Sequence, residues 1–156
     1  VVAVHPKAHI APTAQLGPGS VVFAGAVVQS EARLGRHVIV NTGATVDHDC
    51  EVGDFSHIAP GAHIAGQVRL GTGALAGIGC SIIQNLLIGD WTKIGAGAAV
   101  IDNLPANVTA VGIPARIVKE NCTQEAKRHY AANNTEHQAG PAQSAHEQPN
   151  HTTNHH

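Results

Sequence analysis

A six-residue period runs through two thirds of this 156-residue chain. Val, Ile or Leu stands at every sixth position from Val4 to Val100, and Ala76 is the one exception among 17 positions. No insertion or deletion interrupts the count. An amphipathic helix repeats near 3.6 residues, whereas six is three times the strand period. Each hexad therefore predicts a short strand followed by a tight corner.

Small residues and glycines keep the same register. The side chain four residues after each aliphatic is mostly Ala, Ser, Cys or Thr, and 14 of the 17 glycines fall one or three residues after it. Glycine tolerates a positive φ at a corner, and Asp49, Asn85 and Asn103 occupy the second glycine slot. The pattern predicts a parallel β-solenoid whose coils pair edge to edge at about 4.8 Å.

The periodicity ends at Val100, which divides the chain. We predict a β-helix domain over 1–105, a C-terminal cap segment with a short helix from 121 over 106–133, and a disordered tail over 134–156. Residues 101–119, with two prolines and a short apolar run, predict a loop and a terminal strand that cover the last coil. The tail has almost no aliphatic residues and cannot offset its ordering entropy.

Composition excludes several partners. A net charge of −2 gives no basic footprint for nucleic acid, and no apolar run approaches the ~20 residues of a membrane helix, so we expect no membrane insertion by this segment. Three cysteines without a CxxC pair favour reduced thiols and a cytoplasmic location. The chain begins with Val1 and not Met, which we interpret as a fragment or a processed product.

The densest polar stretch covers residues 46–57. His48 follows the inward Val46 by two residues, so its side chain is expected to point outward at a corner. A nearby carboxylate favours the imidazolium and orients the ring, as a general base requires, although a solvated surface histidine fits the same pattern. The carboxylates around it in sequence are Asp47, Asp49, Glu51 and Asp54.

Coil geometry relates three candidate site residues. Nine residues, half a coil of 18, separate His48 from His57, so the two lie on opposite sides of one prism and can meet only across a subunit boundary. Gly66 stacks one coil after His48 and lies outside both glycine slots. The missing side chain there either opens a groove with an accessible N–H or marks an ordinary irregular corner.

Four stretches resemble one branch of the hexapeptide-repeat acyltransferases, the sialic-acid O-acetyltransferases and UDP-4-amino-sugar N-acetyltransferases. They are NTGATVDHDCEVGDFSHIAPGAHIAG at 41–66, GTGALAGIGCSI at 71–82, IGAGAAV at 94–100 and VGIPARIV at 111–118. The resemblance implies an all-β fold, a left-handed parallel β-helix of about six triangular coils. It also implies a homotrimer, acetyl-CoA as co-substrate and no metal.

The resemblance assigns roles position by position. It implies that His48 is the catalytic base and that Asp49 is the acid that raises its basicity. It implies that His57 contacts the thioester and that the Gly66 backbone N–H faces the acetyl group. Ile78 and Ala96 match positions that line the pantetheine groove. Ala96 departs from the family, in which Gly is common. Family members usually carry a small βαβ domain before the helix that grips the nucleotide or sugar. This sequence opens almost directly on the first hexad, so we expect the resemblance to leave the acceptor open.

The sequence thus predicts an acetyl-CoA-dependent acetyltransferase acting on an amino group of a nucleotide-activated sugar, with direct attack on the thioester. Two alternatives stay open: a sialic-acid hydroxyl as acceptor, and a non-catalytic trimeric scaffold. A metal-dependent anhydrase of the hexapeptide class needs two histidines five residues apart, and no such pair exists within the repeats. The six histidines in or near the tail fit loose Ni²⁺ or Zn²⁺ binding or an unselected polar tail.

Overall fold

The computed structural model describes residues 1–121. Seventeen strands of two residues each recur every six residues, and strands 18 residues apart pair in parallel, as Ala3 does with Val21. Each turn of the chain therefore contributes one strand to each of three sheets. The predicted fold, an all-β left-handed parallel β-helix of about six coils, is confirmed.

The three faces of the prism are called sheets A, B and C. Sheet A contains β1 (Ala3–Val4), β4 (Val21–Val22), β7 (Ile39–Val40), β10 (His57–Ile58), β13 (Leu75–Ala76), β16 (Lys93–Ile94), β18 (Val108–Val111) and β19 (Arg116–Glu120). Sheet B contains β2 (His9–Ile10), β5 (Val27–Val28), β8 (Thr45–Val46), β11 (His63–Ile64), β14 (Ser81–Ile82) and β17 (Ala99–Val100). Sheet C contains β3 (Gln15–Leu16), β6 (Arg33–Leu34), β9 (Glu51–Val52), β12 (Arg69–Leu70) and β15 (Leu87–Ile88).

The core consists of the predicted aliphatic columns. Every sixth residue from Val22 to Val100 is buried. In the first coil Val4 is exposed and Ile10 and Leu16 are only partly buried, because each of their strands pairs on one side only. Buried hydroxyls are satisfied across coils; the Ser56 hydroxyl, for example, donates to the Gly71 carbonyl at 2.8 Å.

Positive φ occurs at the third residue of fourteen successive corners, from Gly19 to Gly97. Asp49 and Asn85 adopt it as predicted, whereas Asn103 does not, and its side chain accepts a hydrogen bond from the Leu87 N–H. Larger side chains, which the sequence reasoning did not anticipate there, also adopt it: Glu31, His37, Phe55, Gln67 and Trp91. The required conformation is thus a property of the corner, and glycine is one of several ways to supply it.

After the last coil, two strands are present where one was predicted. β18 pairs in parallel with β16 and extends sheet A, and β19 folds back antiparallel along β18. Leu104 bridges to Ile88 on sheet C. The domain boundaries remain predictions, since the helix expected over 121–133 and the tail over 134–156 lie outside the described residues apart from Asn121. No helix in the described part of the chain is long and apolar enough to cross a membrane.

Candidate active site

His48 lies at the corner between β8 and β9, where sheet B gives way to sheet C. Its side chain is 52% exposed, and its Nδ1 lies 2.8 Å from an Asp49 carboxylate oxygen. An ionised carboxylate can only accept, so Nδ1 carries the proton and Nε2 keeps a free lone pair. The hydrogen bond to Asp49 raises the pKa of His48 above its ordinary value. The Asp47 carboxylate accepts from the His48 backbone N–H at 2.8 Å and holds the corner.

Gly66 stacks one coil from His48, as the spacing predicted. A Cβ built on Gly66 would lie 2.6 Å from His48 Nε2, so only glycine leaves room for the ring in this position. Its φ is not positive, which makes side-chain clearance and not backbone conformation the reason for glycine here. Among residues 1–121 the Gly66 N–H donates no hydrogen bond, whereas its carbonyl accepts from Asn85. Gly66 is buried beside the ring, and its backbone N–H and the imidazole Nε2 both lack a hydrogen-bond partner among residues 1–121.

His57 belongs to β10 in sheet A and is half-buried. Its Nε2 lies 3.1 Å from Asn41 Nδ2, and the Asn41 side-chain oxygen accepts from the Thr42 N–H at 2.8 Å. This arrangement makes Nδ2 the donor to His57 Nε2 and leaves Nδ1–H as the donor of the ring. Burial lowers the pKa of His57, so the ring stays neutral. Sequence reasoning missed Asn41, because a residue 16 positions away belongs to no obvious repeat slot.

The structure divides the predicted site residues between different parts of the prism. His48, Asp49 and Gly66 share the edge between sheets B and C, the B–C edge. Ile78 and Ala96 share the edge between sheets A and B, the A–B edge, where both are exposed and Ile78 reaches 61%. His57 lies on sheet A, which faces away from the B–C edge. One chain therefore does not bring all six together.

The A–B edge has an unbroken strip of glycines. At the positive-φ position of five successive coils the residue is Gly25, Gly43, Gly61, Gly79 and Gly97. The other two edges accept Gln, Phe and Trp at the same φ, so conformation alone does not demand glycine. A Cβ added at each of the last four would meet nothing within 4 Å. The sequence could have revealed this strip, because glycines 18 residues apart occupy the same corner of successive coils and these five lie beside Ile78 and Ala96.

The cysteines of the repeats do not contribute a nucleophile. Cys50 and Cys80 are buried in the small inward slot. Burial raises the pKa of both thiols, for Cys80 to about 11, so neither forms a thiolate readily. Within residues 1–121, no three His, Cys, Asp or Glu side chains come together as a metal site.

Solved structures similar to this chain include acetyltransferases. The acetyltransferase domain of PglB from Neisseria gonorrhoeae FA1090 is 44% identical over 76% of this chain and 58% of that chain, with a TM-score of 0.75, and was also solved with acetyl coenzyme A at the same identity. PerB from Caulobacter crescentus, in complex with CoA and GDP-perosamine, is 41% identical over 76% of this chain and 57% of its own, with a TM-score of 0.76. WeeI from Acinetobacter baumannii AYE is 33% identical over 72% and 56%, with a TM-score of 0.71.

No family model and no curated protein matches the chain. The chain spans less than two thirds of the length of the structures above. The predicted resemblance to hexapeptide-repeat acetyltransferases is confirmed.

Proposed function

We propose that this chain, whose structural neighbours are hexapeptide-repeat β-helix acetyltransferases, transfers acetyl from acetyl-CoA to an amino group of a nucleotide-activated sugar. The observation that carries the proposal is the His48 ring. Its Nδ1 is held by Asp49 and its Nε2 is free above Gly66, which is the arrangement a general base needs. An amine is preferred to a hydroxyl because PerB was crystallised with GDP-perosamine.

The reaction requires no covalent enzyme intermediate. The acceptor nitrogen attacks the thioester carbonyl, the C–N bond forms, the C–S bond breaks, and coenzyme A leaves as the thiol. His48 Nε2 takes the proton that the nitrogen loses, and Asp49 stabilises the resulting imidazolium. The imidazolium then returns this proton to the departing thiolate sulfur, so that coenzyme A is released as the thiol. We assign the free Gly66 N–H to the oxyanion that forms on the carbonyl, a role typically worth about 3 kcal/mol.

The A–B edge suits the donor. Ile78 offers an exposed apolar side chain, Ala96 offers a short one, and the glycine strip beside them leaves the backbone accessible. We assign the pantetheine arm to this strip. His57, whose Nδ1–H is free to donate, is assigned to the thioester end of the donor.

Both substrates and reduced buried thiols fit a cytoplasmic enzyme. The product would be an N-acetylated, nucleotide-activated sugar, which is the type of donor that glycosyl transfer consumes in glycan biosynthesis.

The direct test is thiol release from acetyl-CoA in the presence of GDP-perosamine and other nucleotide amino sugars. Thiol release that requires an acceptor supports the proposed acetyltransferase activity. If no acceptor gives thiol release, the non-catalytic scaffold is favoured.

Assembly is the first prediction. Since His57 lies on a face that points away from His48, a complete site needs residues from a second chain, and we expect a homotrimer with three shared sites. Light scattering at micromolar concentration should give three times the chain mass of 16.0 kDa. A monomer with full activity would contradict the shared site.

The pH dependence is the second prediction. A base must be neutral to accept a proton, so kcat/KM should fall as the pH drops through the His48 pKa, which Asp49 raises. Asp49→Asn removes the charged partner, lowers that pKa and should shift the acid limb to lower pH while the plateau also falls. Thiol release measured from about pH 5 to about pH 9, a range that brackets the ordinary histidine pKa, checks both effects. An acid limb that stays in place would show that Asp49 does not act on His48.

A further inference from the structure

A groove lies next to His48 on the outer face of sheet C. Its volume is about 540 Å³, which is within the usual range of ligand sites. Asp49, which accepts a hydrogen bond from Nδ1 of the proposed base His48, forms part of one wall of the groove. The lining residues are Asp49, Glu51, Gln67, Arg69, Asn85 and Leu87.

One wall is a column of polar side chains. Asp49, Gln67 and Asn85 occupy the positive-φ position of three successive coils, with φ values of 57°, 62° and 63°. The column is tied together by backbone bonds, from the Gln67 N–H to the His48 carbonyl at 2.9 Å and from the Asn85 N–H to the Gly66 carbonyl at 3.1 Å. Within residues 1–121, the two carboxamide side chains make no hydrogen bond. Both are exposed and free to bind a ligand.

The floor of the groove has balanced charge and one apolar side chain. Arg69 Nε lies 3.5 Å from a Glu51 carboxylate oxygen on the neighbouring strand, so this pair presents no net charge. Leu87 pairs with Arg69 from the next strand of sheet C, and its side chain is exposed (52%). A neutral floor with an aliphatic patch suits a polyhydroxylated ring better than a phosphate.

We propose that this groove binds the sugar ring of the acceptor, an amino-hexose, with Gln67 and Asn85 hydrogen-bonding its hydroxyl groups. A carboxamide both donates and accepts, as a hydroxyl does, so the two match in either direction. Leu87 packs against the apolar C–H face of the ring. Asp49 lines the groove and holds the His48 ring at 2.8 Å, so a sugar ring bound here lies beside the proposed base. The inference rests on the proposed function and adds the acceptor subsite to it.

Glycine variants test the subsite without straining the corner. Gln67→Gly and Asn85→Gly remove the carboxamides at positions where the other edges of the prism hold glycine at the same φ. Each should raise the KM for GDP-perosamine about tenfold, the usual effect of losing one hydrogen bond, and leave the KM for acetyl-CoA unchanged. His37→Gly, at the same corner position on the edge between sheets C and A, is the matched control and should change neither.

The outcomes separate the subsite from the function. If the parent chain acetylates GDP-perosamine and neither glycine variant alters the acceptor KM, the subsite is wrong and the function stands. A glycine variant that dissociates the assembly in light scattering would identify the groove as a subunit contact and overturn the subsite. If the parent releases no thiol, the function fails, and the subsite is then tested by NMR of the Gln67 and Asn85 side-chain amides. Shifts on addition of GDP-perosamine support it, and unmoved signals overturn it.

Discussion

Replacing His48 with alanine is expected to lower kcat by about 10²–10⁴, the usual contribution of a positioned general base. This ring presents a free imidazole nitrogen above Gly66 while its other nitrogen is held by Asp49. The affinity for acetyl-CoA should change little, because the donor is assigned to the A–B edge. The measurement is steady-state thiol release with GDP-perosamine, together with equilibrium binding of acetyl-CoA.

His9→Ala is the matched control for this loss. His9 is also exposed, but it lies on sheet B two coils before Thr45, in the first coil and away from the proposed site. Both variants should melt within a few degrees of the parent, since exposed positions rarely cost more than about 0.5 kcal/mol. A His48→Ala enzyme that keeps more than a tenth of the parent kcat would exclude His48 as the base.

The fold was predictable because a solenoid repeats one local rule. The aliphatic at every sixth position determines which side chains point inward, and the structure buries that column from Val22 to Val100. The six-residue period could not predict the structure at the two ends of the solenoid, where the repetition stops. Val4 is exposed because no earlier coil covers it, and β19 turns back along β18 because the last coil has no successor. Phe55 and Trp91 fall in the second glycine slot, three residues after Val52 and Ile88, and their positive φ was missed because bulky residues seldom adopt it.

The site was predictable where it follows the coil length. Adding 18 to His48 gives Gly66, and the structure places the free ring nitrogen above it. Asn41 was not predictable, because its contact with His57 depends on a side-chain rotamer that the Thr42 N–H fixes by donating to the Asn41 oxygen. Gln67 and Asn85 were missed for a different reason: their importance depends on the shape of the sheet C groove, and a groove does not follow from periodicity.

Ile64→Asp is expected to destabilise the chain by more than about 4 kcal/mol at neutral pH. Ile64 is 1% exposed and stacks between Val46 and Ile82 in the aliphatic column of sheet B. A carboxylate there would have no cation or donor within the column to compensate its desolvation. The damage should also spread, because each coil is stabilised by contacts with its neighbours and the broken one lies in the middle of the stack.

The pH dependence of that loss identifies its cause. Burial would raise the pKa of the introduced carboxyl group in the folded state above its unfolded value near 3.9, so the penalty is largest above the folded pKa and shrinks as the pH falls toward about 4. Ser81→Asp puts the same group on the outside of the same sheet, next to Ile82, and should leave the urea midpoint nearly unchanged. Urea unfolding followed by circular dichroism at about pH 4.5 and about pH 7.5 measures both effects. If Ile64→Asp unfolds with the parent midpoint at the higher pH, the side chain does not point inward and the register of the hexads is wrong.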